Sequence, residues 1–580
     1  MISMNSEVRQ RQNCQQEFWI EPEDFQFYER INVSPPTWCP DCRRRRRMAW
    51  RNDYNFYNRQ CGLCDRNIIS IYSPDKPVPI YCNKCWRSDK WGPKVYGQEI
   101  NFSKPFFAQF RELLNRVPAL AILNDNNIAS VGCEYTNYFA LGKNCYLTMN
   151  SWKVENCFYC YYMVDAKDMV DVMTVFSNGR NIYDSISVEE SNSCKYIFNS
   201  KLLIDCAFCY DCRGCTDCFL SVGLRHKKYY VKNKPRSKEE YEKILASYKL
   251  NTWSGMQKAK KEFAEFIINF PRRPANFNNC VNCTGNYLVN SKNAISCFNA
   301  IRVENSKFFE NGDTIKDSYD CHSGGEQELC CEGINPDNSY GTHFTSYCHK
   351  DRNVLYSNSC QTSEELFGCV GLKNAKYCIF NKQYDEKTYY ELKAKLIDQM
   401  KKRGEWGEFF PIELSTFGYN ETLAQDGYPL VKEEALAKGY QWQDKLQFTT
   451  GKETIKPGEI PESINDVSDS ITKEILICNQ CSRNYKILEG ELLFYRVNKI
   501  PIPRECFFCR LKDRLEMRNP VKLWHRRCQC AGLKSENGVY QNTISHQHGS
   551  SHCPNEFETS YAPERKEIVY CESCYNSEVV

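Results

Sequence analysis

The sequence predicts a mixed, mainly β chain. Duplicated cysteine modules of the treble-clef and zinc-ribbon kind stand at both ends and flank a central, two-lobed parallel β-solenoid with a capping helix on each lobe. Three observations lead there: 36 cysteines in 580 residues, a long internal duplication joining the two ends, and a 12-residue cysteine rhythm between them.

The cysteines come first. Twelve pairs have Cys-x-x-Cys spacing, where random placement would give about 2, and this spacing lets two sulfurs of one tight turn face a single ion. The N-terminal stretch MISMNSEVRQRQNCQQEF has no apolar core, so a secretory leader is not expected. No apolar run reaches the length of a membrane span. A cytoplasmic chain keeps its thiols reduced, which favours metal thiolates over disulfides.

The ends repeat each other at an offset of 467 residues. Cys14, Cys39, Cys42 and Cys61 match Cys481, Cys506, Cys509 and Cys528; Phe27-Tyr28, Pro36 and Arg51-Asn52 match Phe494-Tyr495, Pro503 and Arg518-Asn519. After an insertion in the second copy, Cys64, Cys82 and Cys85 match Cys553, Cys571 and Cys574. Such a shared order marks an internal duplication. It sets an N-terminal tandem module at 1–115 and its duplicate at 476–580.

Four thiolates around one ion make a closed structural site. Cys61, Cys64, Cys82 and Cys85 form one complete set. Cys478, Cys481, Cys506 and Cys509 form another, whose second pair leads into the helical pattern RLKDRLEMRN. A knuckle, a hairpin and a pair on a helix's first turn is the treble-clef arrangement, and the helix N-terminus favours thiolates. Cys528, Cys553, Cys571 and Cys574 are expected to form a third set. The insertion beside them carries Cys530, His546, His548 and His552, read as a polar surface loop, with a ligand exchange as the alternative. Cys14, Cys39 and Cys42 lack a partner because Arg11 stands where the copy has Cys478; either an outside ligand completes that set or its metal is lost. Three to four structural Zn2+ ions are therefore expected. Saturated sites of this kind leave no open position for chemistry.

The middle holds 20 cysteines between residues 125 and 385. Many recur at steps of 12: Cys133, Cys145 and Cys157; Cys194, Cys206 and Cys218; Cys348 and Cys360. The preceding residue is usually Asn, Asp or Ser, as at Asn144, Asn156, Ser193, Asp205, Asp217, Ser296, Asp320 and Ser359. Tyr, Phe, Val and Ile crowd these stretches and favour strands. Twelve is a poor multiple of 3.6, so stacked strands and polar turns fit better than helices. The segments 223–245 and 371–397 resemble each other, each a strand-like piece running into an amphipathic helix. Two lobes follow, 125–270 and 275–405. Residues 406–475 read as a linker with a short helix over VKEEALAKGYQW and a polar stretch at 451–470.

Within the first lobe, Cys206, Cys209, Cys212, Cys215 and Cys218 resemble the opening of an iron–sulfur motif but lack its closing Cys-Pro. Stacked core thiols are the preferred reading. Cys157/Cys160 and Cys280/Cys283 read as core thiols or further zinc knuckles.

Net charge is only +4, so a nucleic-acid signal must be local. Both modules carry one. Between Pro36 and Gln60, Arg43, Arg44, Arg45, Arg46, Arg47, Arg51 and Arg59 face two acids; between Arg504 and Arg527, Arg510, Arg514, Arg518, Arg526 and Arg527 stand among eight basic residues against three acids. Arginine with Trp50, Tyr54, Tyr57 and Trp524 suits phosphate and base contacts. A solvated face paired to acids elsewhere is the competing reading. No phosphate-cradling glycine loop and no nucleophile elbow occurs, so no catalytic residue is assigned.

The segments PPTWCPDCRRRRRMAWRN, ISIYSPDKPVPIYCNKCW, FGCVGLKNAKYCIFNKQY, WGEFFPIELSTFGYNET and FETSYAPERKEIVYCESCY span nearly the whole chain. Together they resemble an uncharacterised zinc-ribbon, cysteine-rich repeat family of candidate-phyla bacteria. The resemblance implies architecture and a bacterial source and no activity. The expected function is a zinc-stabilised, non-enzymatic scaffold that binds RNA or DNA through the basic helices. The alternatives are a protein-interaction or structural scaffold using the solenoid surface, and an iron–sulfur or thiol redox protein.

Overall fold

The computed structural model describes residues 6–10, 14, 17–176 and 179–579. The chain is mainly β, with twelve α-helices among the described residues, cysteine clusters at both ends and large parallel sheets between them. It forms two compact units, and each combines one terminal module with the central stretch nearer the opposite end. The first unit holds residues 1–122, 276–446 and 521–523; the second holds 123–275, 447–520 and 524–580.

In the second unit an 11-stranded sheet runs from Val131–Glu134 to Lys234–Pro235. Neighbours are parallel until the closing antiparallel hairpin of Lys228–Val231 and Lys234–Pro235. In the first unit two six-stranded sheets, from Phe277–Asn278 to Gly325–Glu328 and from Cys331–Ile334 to Lys382–Gln383, repeat the plan. The register advances by 12 residues at almost every step: Cys133 pairs with Cys145, Ile182 with Cys194, Ala300 with Gly312 and Leu366 with Cys378. The step from Met169 to Ile182 takes 13, and that from Phe277 to Leu288 takes 11.

The backbone explains the sequence rhythm. Along Asn144, Leu147, Asn150, Lys153, Asn156, Tyr159 and Tyr162 every third residue has positive φ, and the pattern continues through both stretches. A left-handed residue costs roughly 1–2 kcal/mol unless it is Gly, or an Asn or Asp that bonds locally. All eight residues noted before cysteines, from Asn144 to Ser359, occupy such positions. Their amides also stack along the 12-residue step: Asn156 donates to Asp168 at 2.8 Å, and Asn293 to Asn305 at 2.9 Å. Serines act likewise inside, where Ser185, Ser200 and Ser357 accept from the backbone N–H of Ile197, Cys212 and Cys369, each 12 residues on.

The cysteine after each left-handed corner points inward. Cys133, Cys145, Cys157, Cys194 and Cys206–Cys218 pack with Val154, Met169, Ile182 and Ile197 in one apolar core, and Cys297, Cys321 and Cys330 do so in the first unit. Each thiol donates to a carbonyl, as Cys209 does to Cys218 at 3.7 Å. Small size and a weak S–H donor that needs no charge make cysteine suited to this column.

After each closing hairpin comes a helix. Ser237 caps Lys238–Tyr248 in a reciprocal box with Glu240, and Asp385 caps Glu386–Lys402. The short helix expected after residue 430 spans Lys432–Ala437. The polar stretch at 451–470 is packed rather than free: Ile460 and Ile464 are buried, and Trp253 N–H donates to Glu462 O at 2.8 Å.

If the core thiols only fill space, Cys209→Ala should keep the wild-type metal content and lose about 1 kcal/mol in a denaturant melt. Metal analysis of the purified variant checks this; a lower metal count would contradict the packing role.

Candidate metal centres and the arginine docks

Five groups of Cys and His bring their ligand atoms within 4.8 Å of one another among the described residues. Cys61, Cys64, Cys82 and Cys85 form one; Cys478, Cys481, Cys506 and Cys509 a second; Cys528, Cys553, Cys571 and Cys574 a third. Every sequence-expected set of four thiols therefore converges. All 36 cysteines are free of disulfides. A tetrahedron with 2.3 Å metal–sulfur bonds has edges of about 3.8 Å. The sulfurs of Cys478 and Cys509 lie 3.7 Å apart, those of Cys481 and Cys506 3.5 Å, and those of Cys553 and Cys571 3.8 Å. These donor sets fit a four-coordinate ion.

Backbone N–H groups point at several of these sulfurs. Cys39 caps the helix Pro40–Met48 and Cys82 caps Asn83–Trp86; their Sγ atoms accept from the N–H of Cys42 and Cys85 at 3.3 and 3.4 Å. Cys571 N–H donates to Cys528 Sγ at 3.1 Å. Arg66 donates to Cys64 Sγ at 3.5 Å, and that bond pulls the half-buried thiol down to about 6.

Cys14, Cys39 and Cys42 also converge, as three thiols. Arg11, which stands in the fourth cysteine's place, lies outside the described residues. The fifth group corrects the sequence reading: Cys530, His546 and His548 join Cys574, so two of the three inserted histidines turn inward. His552 stays outside the group, its Nδ1 3.1 Å from the carbonyl of the next residue, Cys553. The ladder Cys206–Cys218 supplies none of the five groups, nor do Cys157/Cys160 or Cys280/Cys283.

The basic helices are placed differently from the phosphate-gripping surface expected. Arg43 donates to Asp320 through Nε at 3.0 Å and Nη2 at 2.7 Å, and Arg47 reaches the other oxygen of Asp320 at 3.0 Å. Arg46 and Arg47 share Glu332, at 2.9 and 3.0 Å, and Arg46 also holds Glu408. Arg43, Arg47 and Asp320 have side chains no more than 2% exposed. Arg51 pairs with Asp53, both buried. Arg44 is partly exposed and donates to Glu310 at 2.8 Å; Arg45 lies 5.8 Å from the centre of the Tyr428 ring. In the second unit Arg510 donates to Asp171 at 2.8 Å, and Arg514 pairs with Asp171 at 2.9 Å and Asp184 at 3.6 Å. Arg518 and Arg526 are half-buried, and Arg526 donates to Gln529 at 3.0 Å. Arg527 is exposed and paired with Glu536.

The two docks are copies of one arrangement. Arg43 and Arg47 stand 467 residues before Arg510 and Arg514. Asp171 and Asp320 are equivalent positions of the two strand stacks, as are Asp184 and Glu332 once the single extra residue of the 13-residue step is allowed for. Even the supports repeat. Arg43 donates to Trp38 O and sits over Phe308; Arg510 donates to Glu505 O and sits over Tyr159, both carbonyl bonds being 2.6 Å. Sequence reasoning missed the acidic half. Its trace was visible in Asp171, a lone acid inside the apolar run MVDVMTVF, and in Asp320 before Cys321.

No protein-family model matches the chain, and no curated protein does. One solved chain, described as an acetyltransferase of Desulfovibrio desulfuricans G20, overlaps 44% of this chain and 67% of its own. It does so at 8% identity and a TM-score of 0.10, which carries no argument. No described helix is long and apolar enough to cross a membrane.

Two predictions follow from the docks. Removing one partner of a buried ion pair costs about 3–5 kcal/mol because the other charge is left without compensation. Asp320→Ala should lower unfolding stability by that order, against about 0.5 kcal/mol or less for an exposed control such as Asp398→Ala. Separately, burial pushes the Glu310 carboxyl up, but Arg44 and His322 outweigh it and hold it well below the usual range. A depressed carboxyl stabilises above its unfolded value, about 4.3, and that contribution is lost as pH falls toward its folded value. Glu310→Gln should thus cost about 1–3 kcal/mol at pH 7, the difference from wild type shrinking below about pH 4. Urea melts at the two pH values check it.

Proposed function

We propose that this protein is a zinc-stapled, non-enzymatic scaffold whose central stretches wind as parallel β-solenoids of 12 residues per turn and present a surface for protein partners. The terminal modules, read as treble-clef and ribbon knuckles, act as clamps that lock onto the solenoid flanks. The observation that carries this reading is the fate of the arginines: those at 43, 46, 47, 51, 510 and 514 are buried against carboxylates of their own unit. A guanidinium already paired and desolvated is not offered to phosphate. The basic helices therefore favour the structural alternative over the nucleic-acid role drawn from charge alone. Zinc is the proposed metal because sets of four thiolates at tetrahedral spacing are its usual structural site. A register that advances by 12 residues, with left-handed corners every third, supports the solenoid.

The discriminating experiment is purification at low salt followed by metal analysis and absorbance at 260 and 280 nm. The expected result is zinc with no nucleic acid, and no salt-dependent retention on heparin or RNA columns. Nucleic acid that co-purifies and is released by salt would overturn the reading, and iron in place of zinc would overturn the assignment of the metal.

A further inference from the structure

The insertion that distinguishes the C-terminal module from its N-terminal copy supplies Cys530, His546 and His548, and all three gather around one sulfur of the neighbouring thiol set. Cys574 belongs to both groups. Its Sγ lies 3.7 Å from Cys553 Sγ on one side and 3.3 Å from His548 Nε2 on the other, while Cys530 Sγ lies 3.7 Å from His546 Nδ1. Mixed nitrogen–sulfur edges of a tetrahedral site are about 3.6 Å. We infer that the C-terminal module holds a dinuclear zinc centre, one ion in Cys528, Cys553, Cys571 and Cys574, the other in Cys530, His546, His548 and Cys574, with the Cys574 thiolate bridging.

Hydrogen bonds around the histidines carry the argument beyond proximity. A ligating imidazole presents a bare nitrogen to the metal and donates from its other nitrogen to an acceptor. His546 Nε2 is 2.7 Å from Glu578 Oε1, which leaves Nδ1, the atom facing Cys530, without the proton. His548 Nδ1 is 2.8 Å from Ser551 O, a carbonyl that can only accept, which leaves Nε2 bare toward Cys574. The two rings thus use opposite nitrogens and still aim both lone pairs at the thiols.

The insertion that carries them is braced for this task. Glu578 lies on the helix Glu572–Val579, which also carries Cys574. Its other oxygen accepts from Thr543 N–H, Thr543 Oγ1 and Tyr540 OH at 2.8 to 2.9 Å. Asn542 donates to Cys530 Sγ at 3.2 Å and to Gly532 O at 2.6 Å, while its oxygen accepts from Tyr570 OH. An N–H donated to sulfur favours the thiolate form. A solvated loop would have no use for a buried His546–Glu578 pair, both side chains being at most 1% exposed.

The inference rests on the zinc reading of the terminal cysteines, so the test separates the two. Zinc per chain is measured on the full-length protein and on the variants Cys61→Ser, Cys530→Ala, His548→Ala, His548→Cys and Cys574→Ala. Cys530→Ala and His548→Ala should each lose about one zinc, Cys574→Ala about two, and His548→Cys should restore the wild-type count because a thiolate replaces the imidazole. An unchanged count in Cys530→Ala and His548→Ala, with Cys61→Ser still losing zinc, would overturn the second ion alone. Loss in both His548 variants would mean that the ring packs without ligating and would overturn it too. An unchanged count in every variant, Cys61→Ser included, would sink the metal reading as a whole.

Discussion

The constraint on which the rest depends is a buried carboxylate shared by two arginines one helical turn apart. A helix places residues i and i+4 on one face, so Arg43 with Arg47, and Arg510 with Arg514, each converge on one acid, Asp320 or Asp171. Desolvating these charges is costly, and it is tolerable only where geometry satisfies nearly every donor. At Arg43 two donors on Asp320, a backbone carbonyl at the guanidinium edge and an aromatic ring beneath it provide that geometry; Arg510 repeats the carbonyl and the ring with a single donor on Asp171, and its Nη2 has no hydrogen-bond partner.

The thiol clusters and the docks serve each other. In each terminal module converging thiols stand at the turns and at the first residue of a helix, where a bound ion would fix both. In the first unit Cys39 caps the helix that carries Arg43 and Arg47 through its Sγ, and in the second Cys506 occupies the N-cap position of the helix that carries Arg510 and Arg514. A shift of the cysteine cap by one residue would rotate both arginines away from their acid. The burial of the basic run thus follows from the phase of a helix that starts at a clustered cysteine and from an acid built into the strand stack.

Much of this was legible in the sequence. Offset and spacing located the thiol sets Cys61–Cys85, Cys478–Cys509 and Cys528–Cys574, because ligand spacing is a local property of a tight turn. The 12-residue rhythm, with Asn144 or Asp205 ahead of a cysteine, marked polar turns between short strands for the same reason; that these turns are left-handed came from the backbone. What was not legible was long-range. A run such as Arg43–Arg47 reads as a phosphate-binding face until its partners are known, and Asp320 is 277 residues from Arg43. The pairing of each end module with the farther central stretch has no local signature either. His546 and His548 looked like loop residues because Glu578, which orients one of them, lies 32 residues on.

Whether the shared carboxylate holds the module to the sheet can be read from a double-mutant cycle on the second dock. Arg510→Ala, Asp171→Ala and the double variant would be compared with wild type by urea unfolding, with metal content verified in each. The account predicts that the double variant is destabilised far less than the two single losses combined, with a coupling energy on the order of 2–3 kcal/mol. Additive losses would show that these side chains do not hold the module to the sheet.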